Sequence, residues 1–242
     1  MLRNGRSGNR VSATRFAVDG RRVATCVTLA IAMLAAISCT PVATAGDLDL
    51  RVRDRDGQGV PDVVVVAVAT APAHVTLAHP AGTAVMDQRN RRFVPQVLVV
   101  QAGTVISFPN NDTVSHEVYS FSPARRFQLP LYKGKAHSPV TFGAAGLVVL
   151  GCNIHDEMVG YIYVTDSPYF AATDADGKAR IHAMPLGRYR LEVWGPRVAD
   201  RGDTLVRQLA VEGAGVVAME WQLHQPLRPR MSPGPRDVDW DY

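Results

Sequence analysis

Cysteine is scarce in this chain: Cys26, Cys39 and Cys152 are the only three among 242 residues. Two of them fall in an N-terminal stretch that reads as a cleavable leader. Residues 1–22 carry six arginines and one acid, Asp19. A 17-residue apolar run follows, VATCVTLAIAMLAAISC, and PVATAG then supplies Ala43-Thr44-Ala45. A basic start, an apolar middle and a small-residue A-x-A exit define a secretory leader, with cleavage expected after Ala45. The run is short against the ~20 residues that a retained spanning anchor needs. Cys39 as a lipid attachment site is a weaker alternative, since it lacks the usual leucine three residues upstream. Arg21-Arg22 also leaves twin-arginine export open.

Without the leader, one cysteine remains. It cannot form an internal disulfide, although an exported protein works where disulfides form. Cys152 is then either buried and inert or held by a metal. The loss of six arginines and one acid takes the formal charge from +4 to −1. The basic footprint of a nucleic-acid binder is therefore missing. Also missing are an amphipathic helical stretch of convincing length and a C-x-x-C-H motif for covalent haem. No Ser/His/Asp or paired-carboxylate set stands out.

What the sequence does contain reads as β-strand. LDLRVRD alternates apolar and polar residues, DRDGQGVPD is a turn cluster, and VVVVAVA is a buried-strand run. Residues 70–82 form a Pro/Ala-rich connection. Short strands follow closely in QVLVVQAGTVISFPNND, HEVYSFS, FQLPLY, SPVTF, GLVVLG and GYIYVTD, the spacing of a sandwich or barrel. After Ser167 come YFAATDADGKARIHAMPLGRYRLEVWGPR and TLVRQLAVEGAGVVAMEWQL. Residues 224–242 are rich in Pro and Arg, which predicts disorder.

DRDGQGVPDVVVV and DADGKARI share D-x-D-G turns. Together they resemble the two halves of a carboxypeptidase-regulatory-like module, a small transthyretin-like β-sandwich. About 100 residues separate the halves, so the resemblance implies a middle domain inserted into the module. The expected organisation is leader 1–45, split module 46–82 plus 166–223, inserted domain 83–165 and tail 224–242. This predicts that the strand over 63–68 pairs with the C-terminal section. The D-x-D-G turns lack the further oxygen ligands of a calcium loop, and turn chemistry accounts for them.

The chemistry lies in GCNIHDEM. Cys152, His155 and Met158 bring a thiolate, an imidazole and a thioether onto one short loop, a set that suits copper. Zinc accepts Cys and His but has little use for a thioether. A blue-copper site needs a second histidine, and SFPNNDTVSHEVYSF supplies His116 after an Asn/Asp turn. On FVPQVLVVQAGTVISFPNND, H-x-V at His116–Val118 and C-x2-H-x2-M, the middle section resembles a cupredoxin of the plastocyanin, pseudoazurin and amicyanin kind. With its MDQ opening, VYSFS, GCNIHD and PYFA-TD segments, the wider chain is similar to bacterial proteins labelled methylamine utilisation or plastocyanin-like. The resemblance implies a Greek-key β-sandwich and one type 1 copper ion held by His116, Cys152, His155 and Met158.

Two departures from that pattern stand out. Glu117 takes the place of the Asn that often ties the ligand loops together, leaving Asn110, Asn111 or Asn153 as substitutes. Asp156 and Glu157 put acid beside His155, where such loops are usually apolar. Gly151 and Asn153 flank Cys152, so the neighbouring histidine that wires type 1 copper to a second copper in multicopper enzymes is missing. A dinuclear centre would need two cysteines. The expectation is an all-β, exported, periplasmic electron carrier rather than an enzyme. It would exchange electrons with redox protein partners, bind no nucleic acid and have no membrane span after leader cleavage; envelope association is possible through the module. Cu(I) delivery, or a structural envelope role with a vestigial site, are the alternatives. The remaining histidines read as ordinary, Trp194 and Trp221 as core of the C-terminal sandwich, and Arg89, Arg91 and Arg92 as a solvated loop.

Overall fold

The computed structural model describes residues 45–70, 82–134 and 137–230. The expected leader apart from Ala45, most of the Pro/Ala-rich connection with His74 and His79, and residues 231–242 lie outside the described residues. The N-terminal section supplies β1 (Ala45–Arg53) and β2 (Val64–Ala69). The middle section supplies β3 (Thr83–Val85), β4 (Asp87–Arg89), β5 (Arg92–Val94), β6 (Val97–Gln101), β7 (Thr104–Ser107), β8 (His116–Ser120), β9 (Phe127–Tyr132), β10 (Val140–Phe142), β11 (Gly146–Cys152) and β12 (His155–Thr165). The C-terminal section supplies β13 (Phe170–Ala172), β14 (Lys178–Pro185), β15 (Gly187–Trp194), β16 (Val206–Val211) and β17 (Val216–Gln222). Among the described residues the one helical element is a short turn at Gly202–Leu205.

The fold is all-β and its sheets pair as sandwiches. The sheets β14-β1-β17 and β13-β2-β15-β16 enclose one core, with Leu48, Val65, Leu191 and Trp221 at its centre. The sheets β10-β7-β3 and β6-β12-β11-β8-β9 enclose a second core around Ile106, Phe142, Leu150 and Ile162. Strand β1 shows why alternation specifies this. Its Leu48, Leu50 and Val52 point inward while the residues between them are part-exposed, as a period of two requires.

Strand β2 explains the unbroken valine run. Val63, Val65 and Ala67 belong to the first core. Val64 and Val66 face the other way, into a third cluster with Val97, Tyr161, Tyr163 and Trp194. A strand covered on both faces has no solvent side and so no alternation. β2 pairs with β13 through Phe170↔Val66 and with β15 through Val193↔Val65. The chain thus leaves the first sandwich after β2, builds the second from β3 to β12, and returns to β2 through β13.

The two D-x-D-G turns use one device. Asp54 Oδ1 accepts the backbone N–H of Asp56 at 3.0 Å and of Gln58 at 2.9 Å. Asp174 Oδ1 accepts those of Asp176 and Lys178, both at 2.9 Å. Gly57 and Gly177 follow in the left-handed region at φ +78° and +74°, where a side chain is strained.

Three details differ from the sequence reading. Arg89 and Arg92 lie on a hairpin, β4–β5, closed by Asn90 and Arg91 at φ 51° and 55°. Trp194 leaves the C-terminal core to Trp221 and packs between the sandwiches, with ring centroids 5.6 Å from both Tyr161 and Tyr163. The start of the tail is held rather than loose. The buried carboxylate of Asp200 accepts the N–H of His224 at 2.9 Å and of Gln225 at 3.0 Å, and Leu227 packs on the first core.

Candidate metal centre

Cys152 ends β11 and His155 begins β12, and the two are cross-strand partners. Only Asn153 and Ile154 lie between them, the tight strand-to-strand connection that the sequence suggested. Cys152 follows Val148 and Leu150 on the inward face of β11. Its thiol is 2% exposed and Met158, three residues beyond His155, is 1% exposed in the same core cluster. His116 opens β8, fully buried, next to β11 in the sheet. Gly151 permits the close approach of these strands: a β-carbon there would lie 2.7 Å from the Tyr119 ring.

Three donor atoms converge. Cys152 Sγ lies 3.8 Å from His116 Nδ1 and 3.7 Å from His155 Nδ1, and the two nitrogens are 3.2 Å apart. All three fall within 4.8 Å of one another, a spacing that could hold a metal ion. His116, 36 positions before Cys152 and 39 before His155, is brought to them only by the sheet; the Cys152–His155 spacing is local.

The electrostatics suit a neutral, dry site. Burial pushes the Cys152 thiol above its usual range, against the opposing pull of the Ile154, Glu117 and His155 backbone N–H groups. Burial likewise pushes His155 below its usual range, helped by His116 and Arg91 and opposed by Glu157 and Asp112. The His155 ring is therefore neutral at neutral pH, and the thiol proton must leave when a metal enters.

Glu117, where the resemblance led to an asparagine being expected, links the His116 and Cys152 segments through its backbone N–H on the Cys152 sulfur. Its side chain bonds Gln128. Among the substitutes, Asn110 is buried and fastens the His116 loop to Val114 and Tyr132 carbonyls at 3.0 and 2.8 Å. Asn111 bonds the Asp87 carboxylate at 3.0 Å, and Asn153 is exposed.

Asp112 is the contact that sequence reasoning missed. Its Oδ2 lies 2.9 Å from His116 Nε2, on the ring edge away from Cys152. Burial raises this carboxyl, but the Arg91 N–H, the His116 ring and the Thr113 N–H outweigh it and hold it below its usual range. The only signal in the sequence was an acid four residues before a histidine, inside a segment that reads as a turn.

No protein-family model matches the chain. No curated protein matches it either. Several solved structures show a likeness, three of which follow. A copper-containing nitrite reductase from Thermus scotoductus SA-01 is 25% identical over 34% of this chain and 22% of that one, with TM-score 0.33. The match thus spans about a fifth of the reductase's length. A purple cupredoxin from Nitrosopumilus maritimus is 21% identical over 35% of this chain and 99% of that one, with TM-score 0.30. A reduced amicyanin with a proline-to-phenylalanine substitution is 23% identical over 41% of this chain and 98% of that one, with TM-score 0.32.

Proposed function

We propose that this chain is an exported type 1 copper protein that carries single electrons between redox protein partners. His116, Cys152 and His155 would be the strong donors and Met158 the weak fourth. The observation that carries this is the convergence of one thiol and two imidazole nitrogens, all within 4.8 Å, on adjacent strands of a sheet. Sulfur and nitrogen donors, with no converging carboxylate among the described residues, fit copper better than a hard cation. Copper bound this way passes between Cu(II) and Cu(I) by one electron. The chain's own part is to keep the donors fixed. Cys152 and His116 are clamped in paired strands, while Met158 is packed in the core. Little then needs to move as the charge changes.

His155 is the partly exposed ligand, flanked by exposed Ile154 and Asp156, and partners would dock there. No helix among the described residues is long and apolar enough to cross a membrane, and the export reading rests on the basic–apolar–A-x-A leader. The first sandwich, from residues 46–82 and 166–223, would be a transthyretin-like module with the copper domain, 83–165, inserted; the β2 pairings with β13 and β15 support this. That module would hold a partner or the cell envelope.

The test is an optical and paramagnetic-resonance titration of the leader-free protein with Cu(II), beside Cys152→Ser. An intense visible thiolate-to-copper band with narrow hyperfine splitting, lost in the variant, is expected. A colourless complex, or a spectrum indifferent to Cys152, would overturn the electron-transfer reading and leave Cu(I) handling or a structural role.

A further inference from the structure

The geometry points to Asp112 as the positioning residue of this centre: its carboxylate fixes which nitrogen of His116 faces Cys152. The consequences at the metal rest on the copper reading above; those in the metal-free protein do not.

Hydrogen bonds hold Asp112 in place. Oδ2 accepts from His116 Nε2 at 2.9 Å and from the Arg91 N–H at 2.6 Å. Oδ1 accepts from the Thr113 N–H at 2.7 Å, and the residue's own N–H donates to Asn110 Oδ1 at 2.9 Å. The Asp112 side chain is 5% exposed and that of His116 0%, so water does not compete for the ring. Two backbone N–H groups already donate to this carboxyl, so it is the acceptor toward the ring as well. The neutral His116 ring then carries its hydrogen on Nε2 and leaves Nδ1 as a lone pair. That lone pair faces Cys152 Sγ and His155 Nδ1. In the metal-free protein the 3.2 Å contact between the two Nδ1 atoms then requires His155 to be the donor. The proton on His155 Nδ1 has to leave that atom when a metal takes the site.

The carboxylate also reaches beyond the ligand. The N–H it accepts belongs to Arg91, at the tip of the β4–β5 hairpin. Asn111 on the other side bonds Asp87 of the same hairpin. His116 is thus braced from outside by a ribbon of its own sandwich. An anion hydrogen-bonded to the far edge of the ring makes Nδ1 a stronger donor, and partners of this kind typically tune metal affinity by about 10–100-fold. The more highly charged Cu(II) gains more than Cu(I), so Asp112 holds the reduction potential down.

The test begins without metal. Nitrogen-15 NMR of the metal-free, leader-free protein should show His116 as the single Nε2–H tautomer, with a slowly exchanging ring proton. Asp112→Ala should give mixed tautomers. The same variant should lose about 10- to 100-fold in Cu(II) affinity. With Cu(I) affinity held, its potential should rise by about 59 mV per tenfold. A wild-type His116 with its hydrogen on Nδ1, or in mixed tautomers, would overturn the proposal by itself, even if the variant did not fold. So would an Asp112→Ala protein with wild-type tautomer, affinity and potential, whatever its melting temperature. A protein that shows the Nε2–H tautomer but binds no copper would refute the copper reading and leave Asp112 as the group that orients His116.

Discussion

Gly59→Ala should unfold the first sandwich more readily than Gly57→Ala, although both glycines lie in one turn. The two D-x-D-G turns are stacked on each other. A β-carbon at Gly59 would lie 2.0 Å from the carbonyl oxygen of Asp176 and 2.3 Å from its carbon. These are backbone atoms, so no side chain can swing aside. The neighbouring bonds, Val52 N–H to Gly177 O at 2.8 Å and Val60 N–H to Val52 O at 3.0 Å, tie the same turns to β1. Relief needs the turns to part. Overpacking of this kind costs about 1–3 kcal/mol, and weakening one of those hydrogen bonds adds about 1 kcal/mol. A total near 3 kcal/mol lowers the melting temperature of a protein this size by about 6–12 °C. Gly57 has no atom within 4 Å of its would-be β-carbon, and only its φ of +78° resists a side chain. That costs roughly 1–2 kcal/mol, or about 2–8 °C. Differential scanning calorimetry of the two variants and the wild type measures both. Equal melting temperatures for the two variants, or the reverse order, would refute the stacked-turn reasoning.

Two further outcomes follow from charge. Asp156, exposed next to His155, should on replacement by Asn raise the reduction potential slightly, on the order of 10 mV for a solvent-screened charge. The exchange rate with a basic redox partner should also become less salt-dependent; voltammetry and stopped-flow rates at several ionic strengths check both. At the tail, burial pushes the Asp200 carboxyl up, but the His224 and Gln225 N–H groups and the His224 ring bring it below its usual range. A depressed carboxyl stabilises the folded form above its unfolded pKa, and that contribution is lost as pH falls through the folded value. The protection of the His224 and Gln225 amides against exchange, relative to the unfolded rate at the same pH, should therefore fall below about pH 4. At neutral pH, Asp200→Ala should speed that exchange about thirtyfold, for a charged hydrogen bond of about 2 kcal/mol.

The parts of the fold legible in the sequence are those set by local pattern. Leu48, Leu50 and Val52 alternate because one face of β1 is buried, and the run from Val63 to Val66 is unbroken because both faces of β2 are. Cys152 and His155 advertise themselves because a two-residue turn keeps their spacing local, and His116 follows its Asn/Asp turn. Side chains whose partners are set by packing were not legible. The segment DQRNRR has too much charge to read as strand, yet it pairs as a hairpin because Asp112 and Asn111 grip it from the His116 loop. Asp200 holds backbone N–H groups of the tail, and a backbone donor leaves no mark in the sequence. Trp194 and Trp221 look alike in the chain; which faces the core depends on strand parity and on what covers the outer side.

That outer side bears on how the second sandwich works. Strand β12 is continuous from His155 to Thr165. Its inward residues, Met158, Ile162 and Val164, belong to the core that also holds Cys152. Its outward Tyr161 and Tyr163 would meet water in a free-standing sandwich. Instead they meet Trp194 of β15, beside Val64 and Val66 of β2. One strand therefore carries a candidate ligand at one end and the contact between sandwiches along its length. Gly160, midway, lets Phe93 of the β4–β5 hairpin approach so closely that a β-carbon would lie 2.8 Å from it. The hairpin that contacts Asp112 and the first sandwich, which covers Tyr161 and Tyr163, thus bear on the same strand from its two faces. A site whose chemistry depends on donors that stay put gains from that arrangement, because displacing His155 means bending a strand packed on both sides.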